Sequence, residues 1–173
     1  MTFEHAVYAL LFFLPAGISN MVPVLASKLP GLSEWNAPLD AGKTYRGKRI
    51  FGKNKTWRGL ISGTIAGTVV AMVVYGTFTD LRIELILIGA AMSAGALIGD
   101  AVESFFKRQR GIQSGKAWFP FDQTDYIIGG LLFTLPFGVL PLWLLVWVFV
   151  MYFGLHLLSS YIGYLLGLKD EPI

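Results

Sequence analysis

Four carboxylates and four cations share one short stretch, "IGDAVESFFKRQRGIQSGKAWFPFDQTDYIIGG", from Ile98 to Gly130. Asp100 and Glu103 precede Lys107, Arg108 and Arg110, while Lys116 precedes Asp122 and Asp125. Both flanks are strongly apolar. An Asp or Glu in a spanning helix costs roughly 2.5 to 3.5 kcal/mol even on insertion scales, so acids kept there are usually paired or functional. Successive helical residues advance about 100°, which gathers Asp100, Glu103, Ser104, Lys107 and Arg108 within an arc of roughly 140°. Val102, Phe105 and Phe106 then face the other way. Asp122 and Asp125, three apart, share a face of the following helix. Glu103 with Lys107 has the spacing of an ordinary ion pair, but Asp122 and Asp125 precede 43 residues without a formal cation. Oxygen donors without His or Cys suit Mg²⁺ and argue against Zn²⁺.

Cations elsewhere suggest what such a metal would serve. The segment "PLDAGKTYRGKRIFGKNKTWRG" alternates Lys43, Arg46, Lys48, Arg49, Lys53, Lys55 and Arg58 with Gly42, Gly47, Gly52 and Gly59. Glycines let backbone N–H groups approach phosphate oxygens, and a polyphosphate needs both Mg²⁺ and Lys or Arg for neutralisation. Its "GKT" at Gly42 to Thr44 lacks the upstream glycine spacing and the preceding strand of a Walker A loop. His5 and His156 have no carboxylate or second His at ligand spacing and read as non-catalytic. With no cysteine in the chain, disulfides, thiolate catalysis and Cys-ligated metal are excluded.

The elements that must position these groups are membrane helices. Apolar residues make up 54% of the 173, and a bilayer core about 30 Å thick takes about 20 helical residues to cross. Such runs extend from about His5 to Ala26, Trp57 to Tyr75 and Ile83 to Phe106. Tyr126 to Leu168 is too long for one span, and Pro136 and Pro141 bracket a turn within it, giving a short fourth helix near 15 residues and a fifth. The expected fold is an all-α integral membrane protein with five transmembrane helices, residues 1–173 forming a single domain. The apolar start lacks a basic leader and a small-residue cleavage site, so it is expected to remain as the first helix.

Leu29 to Thr56 and Lys107 to Thr124 form two loops on one side. With Lys28 and Arg58 they carry twelve of the fourteen cations, so the positive-inside bias makes both loops cytoplasmic, the N-terminus external, and the C-terminus with Lys169 internal. Gly59, Gly63 and Gly67, like Ala91, Gly95 and Gly99, recur every four residues and are expected to bring the second and third helices together, with Arg58 approaching the polar helix end. Gly129 and Gly130 read as packing residues. Trp118, Trp143 and Trp147 read as interfacial or lipid-facing bulk, and Asn20 as an interhelical hydrogen-bonding group with substrate contact as the alternative.

On these residues the whole chain resembles the phosphatidate cytidylyltransferase superfamily, most closely its short archaeal branch, the CDP-archaeol synthases. The matching signature is Ser104, Lys107, Arg108, Lys116 and the run Asp122, Gln123, Thr124, Asp125, preceded by "GDAVES" from Gly99; "NKTWRG" at Asn54 to Gly59 is a second match. There is no His-Gly-Gly before the aspartates, and the chain is shorter than bacterial and eukaryotic members, which favours the archaeal branch. The resemblance implies transfer of a cytidylyl group from CTP to digeranylgeranylglycerol phosphate, an isoprenoid ether lipid phosphate, with release of pyrophosphate and no nucleic-acid partner. It implies Mg²⁺ on Asp100, Asp122 and Asp125, Lys107 among the catalytic groups, and Glu103 assisting or holding Lys107. Lys55, Thr56, Arg58, Ser104, Arg108 and Lys116 would contact CTP or phosphate, with Lys43, Arg46 and Lys53 from the same loop. Two other classes share features with the chain. A CDP-alcohol phosphotransferase would carry one long Asp-rich motif, and an ion-coupled transporter would show an internal repeat and flux without turnover.

Overall fold

Helix-forming and helix-breaking residues divide the chain as hydropathy and proline placement suggest. The computed structural model describes residues 2–113 and 115–167, so Lys169 lies outside the described residues. Among the described residues there are five α-helices: α1 (Phe3–Ala26), α2 (Trp57–Phe78), α3 (Ile83–Gln109), α4 (Phe121–Thr134) and α5 (Leu142–Leu165). Helices α1, α2, α3 and α5 are each long and apolar enough to cross a membrane, with 24, 22, 27 and 24 residues. Helix α4 has 14 residues and runs into a 3-10 turn at Leu135–Phe137. At 1.5 Å per residue α4 covers about 21 Å, so it reaches only part of the way through hydrocarbon. Membrane character and the all-helical frame are as expected, with α4 as the short member.

Close packing is set by small residues and buried tyrosines. Phe13, Met92, Ile127 and Val148 are fully buried at the centre of the bundle. Three tyrosine hydroxyls in the core donate to main-chain oxygens of neighbouring helices: Tyr75 to Phe12 at 2.6 Å, Tyr126 to Tyr152 at 2.8 Å and Tyr152 to Leu10 at 2.7 Å. Each satisfies a polar tip that burial would otherwise penalise.

The glycine stripes pack differently from the expectation. Gly63 and Gly67 do meet Leu97 and Ser93 of α3, but their faces also lie on the main-chain oxygens of Ser19 and Pro15 in α1. Gly95 and Gly99 face α4 instead of α2, against the main-chain oxygens of Gly129 and Asp125. A four-residue repeat identifies a face that admits close approach but not the helix that takes it. Gly130 lies against Phe13 and Met92, in the packing role expected.

The first loop contains a small antiparallel hairpin, β1 (Thr44–Tyr45) and β2 (Lys48–Arg49), which the all-α expectation omitted. Its two central residues, Arg46 and Gly47, have φ of 50° and 76°, the left-handed pair that a tight two-residue hairpin demands. Asp40 organises what surrounds it. Its buried carboxylate accepts from Arg49 Nη2 at 2.5 Å and from the amides of Gly42, Phe51 and Gly52, each at 3.0 Å. Burial alone would raise the Asp40 carboxyl, but the Arg49 hydrogen bond and the three backbone donors outweigh it and hold it well below the usual carboxylate range. Because the folded-state value is depressed, this contribution is complete above the unfolded value of about 3.9 and is lost as pH falls toward the folded one. In hydrogen exchange, corrected for intrinsic rates, the Gly42, Phe51 and Gly52 amides are expected to keep their protection from pH 7 to about pH 5. Asp40→Ala should lower that protection by about tenfold or more at neutral pH. Equal protection in the two proteins would remove Asp40 as the organiser of the loop.

Candidate active site

Helix α3 brings Asp100 and Glu103 to the end of the bundle that carries both basic loops, and α4 delivers Asp125 against them. The close approach at Gly99 and Gly129 makes this possible, since a side chain at Gly99 would collide with the Asp125 main-chain oxygen. Carboxylate oxygens of Asp100, Glu103 and Asp125 lie within 4.8 Å of one another. Glu103 is buried, and its Oε1 has no hydrogen-bond partner. This oxygen has only the Lys107 ammonium, 3.7 Å away, for compensation beside two further carboxylates, so it can accept a second cation. Three hard oxygen donors from two helices, with no His or Cys among them, fit a divalent ion such as magnesium.

The clustered carboxylates differ at a single position from the trio expected to hold the metal. Asp122 Oδ1 receives Lys107 Nζ at 2.6 Å and its Oδ2 receives the Trp118 amide at 2.8 Å. Glu103 takes the third place, with Lys107 Nζ 3.7 Å from its Oε1. Asp122 precedes Asp125 by almost one helical turn, which carries it past the cluster to the Lys107 ammonium. Asp122 still reaches the cluster through Lys107, whose Nζ also lies near Glu103.

Lys55 reaches across from the first loop, its Nζ 2.5 Å from Asp100 Oδ2. Beside this pair lies a cavity of about 620 Å³ lined in part by Asn20, Lys53, Lys55, Thr56, Arg58 and Asp100. Thr56 caps α2 by accepting from the Gly59 amide at 3.1 Å, which leaves its hydroxyl proton free to be donated. Arg58 faces the cavity, yet its Nη1 donates to Asn36 Oδ1 at 2.6 Å and lies 3.2 and 3.3 Å from the main-chain oxygens of Leu32 and Ser33. It anchors the first loop and does not approach the α3 acids, because three acceptors of that loop surround it. The Asn20 amide, half-buried on α1, faces the same cavity with no hydrogen-bond partner among the described residues, so the interhelical bond expected of it is not formed.

A second, apolar cavity of about 480 Å³ lies between α3 and α4, with Glu103 and Asp125 at its polar end and Val102, Phe106, Ile128 and Leu132 along its walls. The carboxylate cluster therefore borders both spaces, Asp100 on the polar one and Glu103 and Asp125 on the apolar one.

The remaining predicted residues take varied places. Ser104 is buried on α3, and the Arg108 side chain extends toward Gly52 of the first loop. Lys53 lines the polar cavity, Lys116 is exposed in the α3–α4 connection, and Lys43 and Arg46 are exposed on the hairpin, outside the polar cavity's lining. Phe105, on the face turned away from the acids, packs against Tyr45 of the hairpin with ring centroids 6.0 Å apart. Asp40 was missed as a structural group, although an Asp just before a glycine-rich turn is a usual signal for side-chain capture of backbone amides. Lys48 was missed too; its Nζ donates to the Gln109 main-chain oxygen at the end of α3, 2.6 Å away.

A helical membrane protein with clustered acids between a lysine-lined cavity and an apolar groove has the architecture of an intramembrane enzyme acting where water meets lipid. The comparisons agree. Residues 3–173 match the family described as CarS-like: CDP-archaeol synthase. A CDP-archaeol synthase of Methanoculleus marisnigri is 35% identical, over 90% of this chain and 99% of that protein. One of Thermococcus onnurineus is 32% identical over 99% of both. A solved structure, described as an intramembrane enzyme for archaeal membrane lipids biosynthesis, superposes with a TM-score of 0.78 at 29% identity, covering 89% of this chain and 93% of its own. The chain belongs to the CDP-archaeol synthase family.

Proposed function

We propose that this protein transfers the cytidylyl group of CTP to the phosphate of an isoprenoid ether lipid, forming CDP-archaeol and pyrophosphate, with the whole chain acting as one catalytic unit. The reading is carried by one observation: the three-carboxylate cluster lies where the polar cavity and the apolar groove meet. A nucleotide in the first and lipid chains in the second would bring the two phosphates together at that border. Family membership supports this reading over an ion-coupled carrier or an enzyme that consumes CDP-lipids.

A lipid phosphate oxygen forms a bond to the α-phosphorus of CTP as the bond from that phosphorus to the β-phosphate oxygen breaks, and pyrophosphate leaves with the electron pair. The attacking phosphate is already anionic at neutral pH, so no side chain need take a proton or form a covalent intermediate. The protein positions the reactants and neutralises charge. Asp100, Glu103 and Asp125 would hold magnesium, which when bound supplies positive charge to the phosphoryl oxygens. Lys53 and Lys55 face the nucleotide cavity, and Arg108 and Lys116 are further cations of the same end for the leaving pyrophosphate. Asp122 and Glu103 keep Lys107 directed at the border, and Ser104 offers a hydroxyl beside them. Asn20, whose amide can both donate and accept, is placed to meet the nucleotide. The excess of cations in the two loops supports a cytoplasmic site and C-terminus, with the N-terminus outside.

The deciding experiment incubates purified protein with labelled CTP, Mg²⁺ and either an ether lipid phosphate or a diacyl lipid phosphate. CDP-lipid and pyrophosphate in equal amounts are expected with the ether lipid. Product with the diacyl lipid alone would defeat the archaeal substrate, and no product with either would defeat the reaction.

Lys55 also yields a prediction of mixed sign. Its ammonium neutralises Asp100 when no nucleotide is present, so Lys55→Met should let Mn²⁺ alone bind more tightly, by about tenfold, as measured by electron paramagnetic resonance. The same change should raise the KM for CTP by about tenfold or more, because a phosphate contact is lost. Weaker Mn²⁺ binding in the variant would mean that Lys55 does not compete with the metal.

A further inference from the structure

A lipid phosphate whose chains occupy the α3–α4 groove meets Glu103 and Asp125 at the polar end, and like charges repel strongly where water is scarce. That end therefore needs a cation on the lipid side, separate from those around the nucleotide. Lys53, Lys55 and Arg58 line the other cavity. Lys107 is held by Asp122 and Glu103, and Arg108 extends toward Gly52. Among the described residues, Arg110 is the cation that lines the groove. It caps the C-terminal end of α3, and its guanidinium carbon lies 5.0 Å from the centroid of the Trp118 ring. Trp118 is itself fixed: its amide donates to Asp122 Oδ2 at 2.8 Å, and its ring lies 4.3 Å from that of Phe121. A guanidinium stacked on an indole keeps its N–H edge free for two parallel bonds to a phosphate.

We propose that Arg110, seated on Trp118 at the mouth of the α3–α4 groove, receives the phosphate of the lipid substrate, with Trp118 as its positioning residue. This rests on the reaction proposed above. It also links the two halves of the site, because Lys107, Asp122, Trp118 and Arg110 form one chain of contacts from the carboxylate cluster to the lipid headgroup.

The test uses the full chain in detergent, without CTP or divalent metal, and three probes: an ether lipid phosphate, the same lipid ending in a neutral hydroxyl, and inorganic phosphate. The wild type is expected to prefer the lipid phosphate over the neutral lipid by about tenfold or more, and inorganic phosphate should not displace it. Arg110→Ala should abolish that preference, Arg110→Lys should keep part of it, and Trp118→Phe should keep more than Trp118→Ala. In turnover, Arg110→Ala should raise the KM for lipid phosphate by about 10- to 100-fold while the KM for CTP stays within about twofold. An unchanged preference in Arg110→Ala, an equal rise in both KM values, or displacement by inorganic phosphate would overturn the proposal. If the wild type made no CDP-lipid the proposed reaction would fall, while the binding contrast would still decide whether Arg110 holds the headgroup.

Discussion

Asp125→Asn is expected to lower cytidylyl transfer by about a thousandfold while leaving the purified protein folded in detergent. The side chain keeps its shape but loses its charge, leaving the cluster with two carboxylates, Asp100 and Glu103. Transition-state charge stabilisation by a bound metal is worth several kcal/mol, and about 4 kcal/mol corresponds to a factor of roughly a thousand. Asp122→Asn should behave differently, because Asp122 holds Lys107 and the Trp118 amide and stands outside the trio. Its loss should be smaller, about 10- to 100-fold, and should include a higher KM for the lipid phosphate. Nucleotide-free Mn²⁺ binding separates the two variants: Asp125→Asn should weaken it strongly and Asp122→Asn little. Equal weakening would return Asp122 to the ligand set, and wild-type turnover in Asp125→Asn would remove the metal site.

Gly99→Val should be nearly as damaging without changing any charged group. The new side chain would collide with the Asp125 main-chain oxygen and with Gly129, and neither backbone can yield without moving α4. Displacing Asp125 from Asp100 and Glu103 by about 1 Å is enough to cost about a hundredfold in rate. Gly99→Ala, which introduces the same first carbon, should show a lesser loss of the same kind. Turnover and the midpoint of thermal unfolding, measured together, would distinguish lost alignment from lost folding: activity should fall far more than stability. Full activity in Gly99→Val would mean that the α3–α4 contact does not set the site.

Much of this protein can be read along the chain. Apolar runs interrupted by proline mark the five helices and the short α4, because crossing hydrocarbon constrains length and polarity locally. Helical periodicity likewise puts Asp100, Glu103 and Lys107 on one face, since that depends on the geometry of one element alone. The motif at Ser104 to Asp125 points to the family for the same reason: its spacing is a property of contiguous sequence.

What lay beyond the sequence is every choice between partners. Glu103, not Asp122, joins Asp100 and Asp125, because α4 meets α3 at a depth and rotation set by Gly95, Gly99 and Gly129. Arg58 turns to the carbonyls of its own loop, Asp40 gathers a hairpin around itself, and Arg110 finds Trp118 across the α3–α4 connection. Each side chain had several oppositely charged or polar groups within plausible reach. Spacing along one helix fixes direction to within a residue, but relative rotation and depth between helices come from close packing over many contacts. Only the folded arrangement therefore decides which carboxylates cluster and which ones hold the lysine beside them.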